Sequence, residues 1–545
     1  MVDGIVSEPG DDTNEFVFVT PDNTDIKTGE FVYYTGTVDV ENSDSGLAEH
    51  QQKIFARVTD REQKRGYPDR FMADPSVSPE SVASKLGVAT EGVDLYRITA
   101  QVIGYYDERL NDFTNPRIVP QPGTEIDLAA DADLEEHLTE ADEKKDGSAF
   151  IGDLLHRAPG RTDIHLPINS FASTHLSILA STGSGKSYTA SVLIEEMMQP
   201  DSRAAILIID PHGEYSSLRE MEDDPRFHDE DEGYSPDVEI WSPDDIHIRI
   251  SELSKSDVFS ILDDPSDAQE HVFSEAWTQL RSDDGVDFDY VTLQQIKSQC
   301  MTVADNDSTA HALDWRLDKA LDRELFDPNK HLSLSELLEP GRCSVLQLDT
   351  MDLREQQMLL SVLFRRINRE RVKHEKGRDS KLDFPVFSLL EEGHRFAPAD
   401  GDARSLGVLS TILSEGRKFG IGIGIISQRP SKIDDDVLSQ CKTQIIMQIQ
   451  NPLDQDAVKK GVEDVGEDLL SELPGLTPGQ AIIAGDSVNT PFPTRIRDRY
   501  TTHEAESLPA IEEWQKTWRN NNKHKTDGLI DPDQEGGIDD REQRL

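Results

Sequence analysis

The chain has 545 residues, enough for more than one domain with its own core. It carries 106 acidic against 55 basic residues, a formal net charge of −51, yet 36% of it is apolar and several segments are strongly periodic, which excludes a wholly disordered polymer. The acids run along the whole chain rather than in a tail, which fits a surface tuned to a salt-rich cytoplasm, where the Debye length falls to about 3 Å at molar ionic strength. Such a charge argues neither for nor against a nucleic-acid partner, because a basic channel fits inside an acidic shell. Cys300, Cys343 and Cys441 are three, far apart and without metal-ligand spacing, as in a reducing compartment. Met1–Asp12 is acidic and lacks the apolar core of a signal peptide, and no apolar run approaches the ~20 residues that span a bilayer, so a cytoplasmic protein off the membrane is expected.

In chain order, residues 1–130 predict a small β-barrel. Glu15–Thr20, Glu30–Thr35 and Lys53–Thr59 are short and β-rich. Leu95–Tyr106 alternates, with Tyr96, Ile98, Ala100 and Val102 on one face and Arg97, Thr99 and Gln101 on the other. Pro116, Pro120, Pro122 and Gly123 interrupt the pattern before Glu125–Leu128. Residues 131–149 are of mixed charge and read as a linker or a solvated helix. From 150 to 500, strands alternate with helices, which predicts an α/β fold with a mostly parallel sheet. The strands are expected at Leu176–Leu179, Ala205–Asp210, Cys343–Asp349, Val386–Leu390, Ile421–Ser427, Thr443–Gln450, Ala481–Ala484 and Thr494–Arg497. Glu220–Glu232 reads as an acidic loop too polar to be buried. Residues 250–338 read as a helical insertion in which Phe273, Ala276, Trp277 and Leu280 share one face. Helices are expected at Glu355–Val372 and at Ala403–Phe419, the second capped by Gly420. Residues 501–545 predict one more helix to about Arg519 and a polar, disordered tail from Asn520.

The chemistry centres on Ala180-Ser181-Thr182-Gly183-Ser184-Gly185-Lys186-Ser187. It follows a short apolar strand and opens a helix with Ala190, Leu193, Ile194 and Met197 on one face, which is the context a phosphate-binding loop requires. The glycines let backbone N–H groups curl around a phosphate, and the helix N-terminus adds unpaired donors and the positive end of its dipole. Thr182, Gly183, Ser184, Gly185, Lys186, Ser187 and Tyr188 are therefore the expected nucleotide contacts. Lys186 would reach the β- and γ-phosphates of ATP, and Ser187 would ligate Mg²⁺. Ala180 replaces the first glycine of the pattern, which a small residue at negative φ satisfies. Two runs qualify as the magnesium-associated strand, Ile206–Asp210 and Val386–Glu392. In P-loop proteins with an intervening strand, the later one carries an acid pair, and Glu391-Glu392 fits it. Glu391 would hold Mg²⁺ through its water, and Glu392 would activate the attacking water. Asp210-Pro211-His212-Gly213-Glu214 ends the earlier strand. It orders the metal's water, with Asp210 at the nucleotide, or lines the pore of a ring, or simply builds a turn.

Gln428 ends the strand that follows Glu392 and reads as a sensor of the γ-phosphate, or as a loop cap. Arg417 and its neighbour Lys418 sit in the last turn of a helix. There they complement the helix dipole or supply an arginine finger to an adjacent subunit. His394 reads as a structural or coupling residue, since no second metal ligand stands at helical spacing. Ala397–Leu406, with Arg404, and the turn at 211–216 are candidate DNA-contacting loops.

Together, the phosphate loop, Asp-Pro-His-Gly-Glu-Tyr at 210–215, Glu-Glu-Gly-His-Arg-Phe at 391–396, Ser-Glu-Gly-Arg-Lys-Phe-Gly at 414–420 and Ser-Gln-Arg-Pro at 427–430 resemble the HerA family of the HerA/FtsK superfamily. The departures are Ala180, Glu391 where Asp is common, and Gly393 where Ala is common. The resemblance implies a RecA-like motor behind a small β-barrel, assembled as a homohexamer that uses ATP and Mg²⁺ to move DNA. It implies helicase activity in double-strand break processing with a nuclease of the NurA type, and Arg417 as the inter-subunit finger. Two other readings are a conjugation- or secretion-type motor and a nucleotide-dependent scaffold. The missing membrane span weighs against the first, and the presence of both Glu392 and Gln428 against the second.

Overall fold

The computed structural model describes residues 3–10, 14–21, 26–42, 46–64, 95–107, 112–139, 147–262, 265–321, 325–400, 403–462, 465–503, 511 and 513–519. The expected tail from Asn520 lies outside the described residues. They fall into two units, Met1–Thr502 and His503–Leu545. In the second, residues 511 and 513–519 are helical, and Ile511, Trp514 and Trp518 are exposed.

In the first unit, seven strands precede the motor motifs: β1 (Gly4–Pro9), β2 (Glu15–Pro21), β3 (Phe31–Asn42), β4 (Gly46–Lys64), β5 (Leu95–Asp107), β6 (Asp112–Thr114) and β7 (Glu125–Leu128). They run in the order β2-β1-β7-β3-β4-β5-β6, and β2 also pairs with β5, which closes six of them into an antiparallel barrel. Closure leaves no sheet edge among the six. Phe16, Phe18, Val32, Ile54, Ile98 and Ala100 fill the interior. Arg97, Thr99 and Gln101 are not buried, as the alternation in β5 predicts. Strand β1 was not expected, since its only strongly apolar residues are Ile5 and Val6 in an acidic stretch.

The segment read as a linker or a solvated helix begins as helix α1 (Asp131–His137). Arg157 ties it to the barrel, bonding Asp131 at 2.7 Å and the buried Glu30 at 3.0 Å. Beyond it come β8 (Ser148–Leu154), β9 (Asp163–Pro167), α2 (Ile168–Thr174), β10 (Leu176–Leu179), α3 (Lys186–Met197), β11 (Ile206–Asp210) and β12 (Asp237–Trp241). The insertion holds α4 (Asp267–Ser282), α5 (Leu293–Val303) and α6 (Asp307–Leu321). The chain returns through β13 (Arg342–Gln347), α7 (Leu353–Glu375), β14 (Val386–Leu390), α8 (Arg404–Glu415), β15 (Ile421–Ser427), β16 (Thr443–Ile446), β17 (Gln480–Gly485) and β18 (Phe492–Ile496).

These strands form one eleven-stranded sheet in the order β12-β13-β11-β14-β15-β10-β16-β17-β18-β8-β9. From β12 to β16 every pairing is parallel, and from β16 to β9 every pairing is antiparallel. The parallel strands from β13 to β16 are buried on both faces, and their side chains alternate between two cores. Leu207 and Ile209 of β11 join the core beneath the helical insertion and α7. Ile206 and Ile208 join the core that holds α3 and reaches Phe31 and Phe55 of the barrel. In the insertion, Phe273, Ala276, Trp277 and Leu280 are all buried, the single face their spacing predicts. The loop at 220–232 is less open than its charge implies, because Met221 and Phe227 are both fully buried.

Candidate active site

Strand β10 sits between β15 and β16, with β14 and then β11 on the β15 side. The phosphate loop, Gln428, the acid pair and Asp210 thus leave the carboxyl ends of four adjacent strands, where open α/β sheets bind ligands. Ala180 is fully buried, its N–H donates to the Ser427 carbonyl at 3.1 Å, and its φ is not positive, so a methyl group is accommodated there. Gly183 and Gly185 have φ of 79° and 102°, a region that side chains rarely adopt. The loop is braced by Ser181 N–H to the Gln448 carbonyl at 2.8 Å and by Ser184 Oγ to the Ser181 carbonyl at 2.6 Å. Helix α3 then starts at Lys186 and offers its first-turn N–H groups to the same space.

Three carboxylates surround the Lys186 ammonium. It is bonded to Glu391 Oε1 and lies 3.7 Å from Glu392 Oε1 and 3.9 Å from Glu214 Oε2. Burial lowers the Lys186 pKa, but Glu391, Glu214 and Glu392 together outweigh it, and the net shift is upward. Glu391 is fully buried, and burial pushes its carboxyl up to about 7 against the opposing pull of Lys186. Its second oxygen accepts from Tyr215 OH at 2.8 Å. The Ser187 hydroxyl donates to Glu214 Oε2.

Glu392 adopts φ 54° and ψ 49°, a left-handed conformation unusual for a side-chain-bearing residue and one that concentrates at functional sites. Its Oε1 accepts from Gln428 Nε2, and Gln428 Oε1 accepts from Thr182 Oγ1, so one amide joins the phosphate loop to the acid. Glu392 Oε2 is buried and accepts no hydrogen bond. His394 Nδ1 lies 3.2 Å from it but pairs with Ser427 Oγ, also at 3.2 Å. Burial lowers the His394 pKa, opposed by Glu392, so the ring is held neutral.

The structure therefore gathers Thr182, Lys186, Ser187, Glu391, Glu392 and Gln428 in one place. Others turn elsewhere. The Tyr188 hydroxyl accepts from Arg499 N–H at 2.8 Å. Asp210 is fully buried and serves its own turn, accepting from the N–H groups of His212, Gly213 and Tyr215 at 3.2, 2.8 and 3.3 Å. Burial raises its pKa, opposed by those same N–H groups. Arg417 and Lys418 lie in an exposed turn at Gly416–Phe419, outside the cluster. Arg404 bonds Ser256 Oγ at 2.9 Å. The sequence offers Glu214 only as part of the stretch Asp210-Pro211-His212-Gly213-Glu214 and gives Tyr215 no role of its own. The signal was their place at the end of Asp-Pro-His-Gly-Glu-Tyr.

A glycine phosphate loop on a central parallel strand, with an acid pair and a polar amide on neighbouring strands, defines a P-loop nucleotide-binding core of the ATPase class. Residues 149–367 match the family model described as the central domain of helicase HerA. The chain is 29% identical over 466 residues to the DNA double-strand break repair helicase HerA of Saccharolobus solfataricus, covering 83% of this chain and 87% of that one. It is 28% identical over 427 residues to the HerA of Pyrococcus furiosus, covering 68% and 74%. It is 29% identical over 426 residues to a probable helicase of Methanocaldococcus jannaschii, covering 76% and 78%. The chain is thus similar, over most of its length, to helicases of the HerA type. Among solved structures, VirB4 of Thermoanaerobacter pseudethanolicus aligns with a TM-score of 0.47 at 15% identity, over 66% of this chain and 99% of that one. Among the described residues, no helix is long and apolar enough to cross a membrane.

Proposed function

We propose that this chain is an ATP-driven DNA translocase and helicase that works as a homohexameric ring. The carrying observation is the convergence of a phosphate loop, one ammonium, an acid pair and a sensor amide on one spot. The chain's relatives are named DNA double-strand break repair helicases, so the substrate is read as broken DNA. A nuclease of the NurA type is the expected partner and the cytoplasm the expected compartment.

The donor set suits Mg²⁺. The Ser187 hydroxyl and the carboxylates around Lys186 are hard oxygen donors, and three carboxylates against one ammonium leave negative charge in excess. Among the described residues no three His, Cys, Asp or Glu side chains stand close enough to hold a metal alone. That accords with an ion that keeps waters and takes substrate phosphate oxygens. When bound, the ion supplies charge neutralisation at the phosphates. Ser187 and Glu391 would hold it. Lys186 exchanges Glu391 for the β- and γ-phosphates, and the loop's N–H groups receive their oxygens. Glu392 takes the proton of the attacking water at Oε2, its oxygen without a hydrogen bond. Gln428 reports the γ-phosphate by exchanging its Glu392 or Thr182 bond. Arg417, exposed, reaches the neighbouring subunit's ATP, where such a finger is worth about 10³–10⁵ in rate.

The test is ATP turnover with and without DNA in molar KCl, beside binding of a fluorescent ATP analogue. Wild type should turn over faster with DNA. Glu392→Gln should bind nucleotide normally and lose about 10²–10⁴ in rate. Undiminished turnover in that variant removes Glu392 as the base, and no turnover of wild type with any DNA favours the scaffold reading.

A further inference from the structure

The Ser187 hydroxyl is bonded by Glu214, from the turn after β11, and not by either member of the acid pair. A hydroxyl has one proton to give. Given to a carboxylate, it strengthens the oxygen's donor character toward a cation, and the only other hydrogen-bond contact of that oxygen among the described residues is a long one from Lys186 Nζ at 3.5 Å. Glu391, by contrast, has both oxygens engaged, one by Lys186 and one by Tyr215 OH, and is fully buried. Glu214 keeps 30% of its side chain exposed and so faces the space a hydrated ion enters.

The position of Glu214 is built. Gly213 takes φ 74°, which turns the chain back toward α3. The fully buried Asp210 carboxylate fixes that turn through the N–H groups on either side of Glu214, those of Gly213 and Tyr215. Tyr215, itself fully buried, carries its hydroxyl to Glu391. One short segment thus sends a carboxylate to the P-loop serine and a phenol to the first acid of the pair.

We propose that Glu214 is a metal-positioning carboxylate of this site: it accepts the Ser187 hydroxyl's hydrogen bond and holds a water of the nucleotide-bound Mg²⁺, while Asp210 positions it. The inference rests on the site binding Mg²⁺ with ATP. The second carboxylate is then drawn from the strand next to that of the acid pair and stands beside Glu391, which is released for the ion when Lys186 turns to the phosphates, while Glu392 is left to the attacking water.

The test is binding rather than turnover. Affinity for a fluorescent non-hydrolysable ATP analogue is measured by equilibrium titration in Mg²⁺ and in EDTA, for wild type, Glu214→Gln and Glu214→Asp, with thermal melts to confirm folding. Wild type should bind more tightly in Mg²⁺. Glu214→Gln should shift the Mg²⁺ midpoint upward by about 10–100-fold, the usual loss on removing a group that supports a metal ligand. Its affinity in EDTA should be unchanged or higher, one negative charge having left the phosphate site. Glu214→Asp should recover part of the Mg²⁺ effect. A Glu214→Gln variant that keeps the full Mg²⁺ effect, or that weakens equally in Mg²⁺ and in EDTA, overturns the proposal. Wild type that binds no nucleotide, or binds it regardless of Mg²⁺, overturns instead the reading of the site on which it depends.

Discussion

His175 stands at φ 69° immediately before the phosphate-loop strand and is 2% exposed. Its Nδ1 accepts from Ile423 N–H at 3.1 Å and its Nε2 donates to the Leu413 carbonyl at 3.0 Å, which fixes a neutral tautomer and joins β10 to the segment that carries Arg417. Burial pulls its pKa from 6.5 to about 4, against the opposing Leu413 carbonyl and with a further push from Arg417. The sign of the consequence follows. Above about 6.5 the ring is neutral in both folded and unfolded chains, and between 6.5 and 4 only the unfolded chain takes the proton. Stability therefore falls as pH drops through that window, by about 2 kcal/mol at pH 5 for this group. Denaturant titrations in molar KCl at pH 7 and pH 5 should show that loss in wild type. His175→Asn, which removes the imidazole, should be less stable at pH 7 and lack that part of the pH dependence. An unchanged pH dependence in the variant would show that other groups carry it.

At the scale of elements, helix α3 is held from both ends. Its N-terminus forms the phosphate loop, and its last turn presents Glu195 and Glu196 to Arg497, at 3.0 and 2.6 Å. Glu195, fully buried, also accepts from the N–H groups of Tyr500 and Thr501, so the chain leaving β18 is strapped across the helix that shapes the nucleotide site. Arg497→Ala leaves the buried Glu196 without its guanidinium and Glu195 with only Arg499, 3.9 Å away, which costs about 3–5 kcal/mol. Chemical denaturation should show that loss, and nucleotide affinity should fall with it if the strap shapes the loop; a loss below about 1 kcal/mol would mean that water replaces the guanidinium. None of this was legible in the sequence, because the partners are about 300 residues apart, at 302 and 301. The same holds for Glu214 and Tyr215, whose roles depend on β11 lying beside β14. What was legible was local. The Gly-Lys-Ser turn, the short apolar runs of the central strands and the single apolar face of α4 each declare themselves within about a dozen residues. Strands β8, β9 and β12 were missed because they are short and carry His165, Asp153 and Glu239 among their apolar residues. They sit toward the ends of the sheet, where one-sided burial suffices.

In the whole molecule the parts of the site are unevenly distributed. Cradle, acid pair and sensor meet within one chain, whereas Arg417 points to solvent from a turn outside the cluster. A closed ring would place that turn against the next copy's phosphate loop, and the hypothesis can be tested by mixing. Glu392→Gln subunits keep the finger and lose the base; Arg417→Ala subunits keep the base and lose the finger. Each alone should turn over ATP at a small fraction of the wild-type rate. Co-assembled in equal amounts, about one interface in four joins an intact base to an intact finger, so turnover should rise toward about a quarter of wild type if interfaces act independently. The rise should depend on mixing ratio with its maximum at equal amounts, and sedimentation in molar KCl should show that the same large particle forms in every mixture. If the mixtures assemble but never exceed the average of the two variants, the guanidinium works inside its own subunit or not at all. ATP hydrolysis would then be complete within a monomer, and nothing in the chemistry would require a ring.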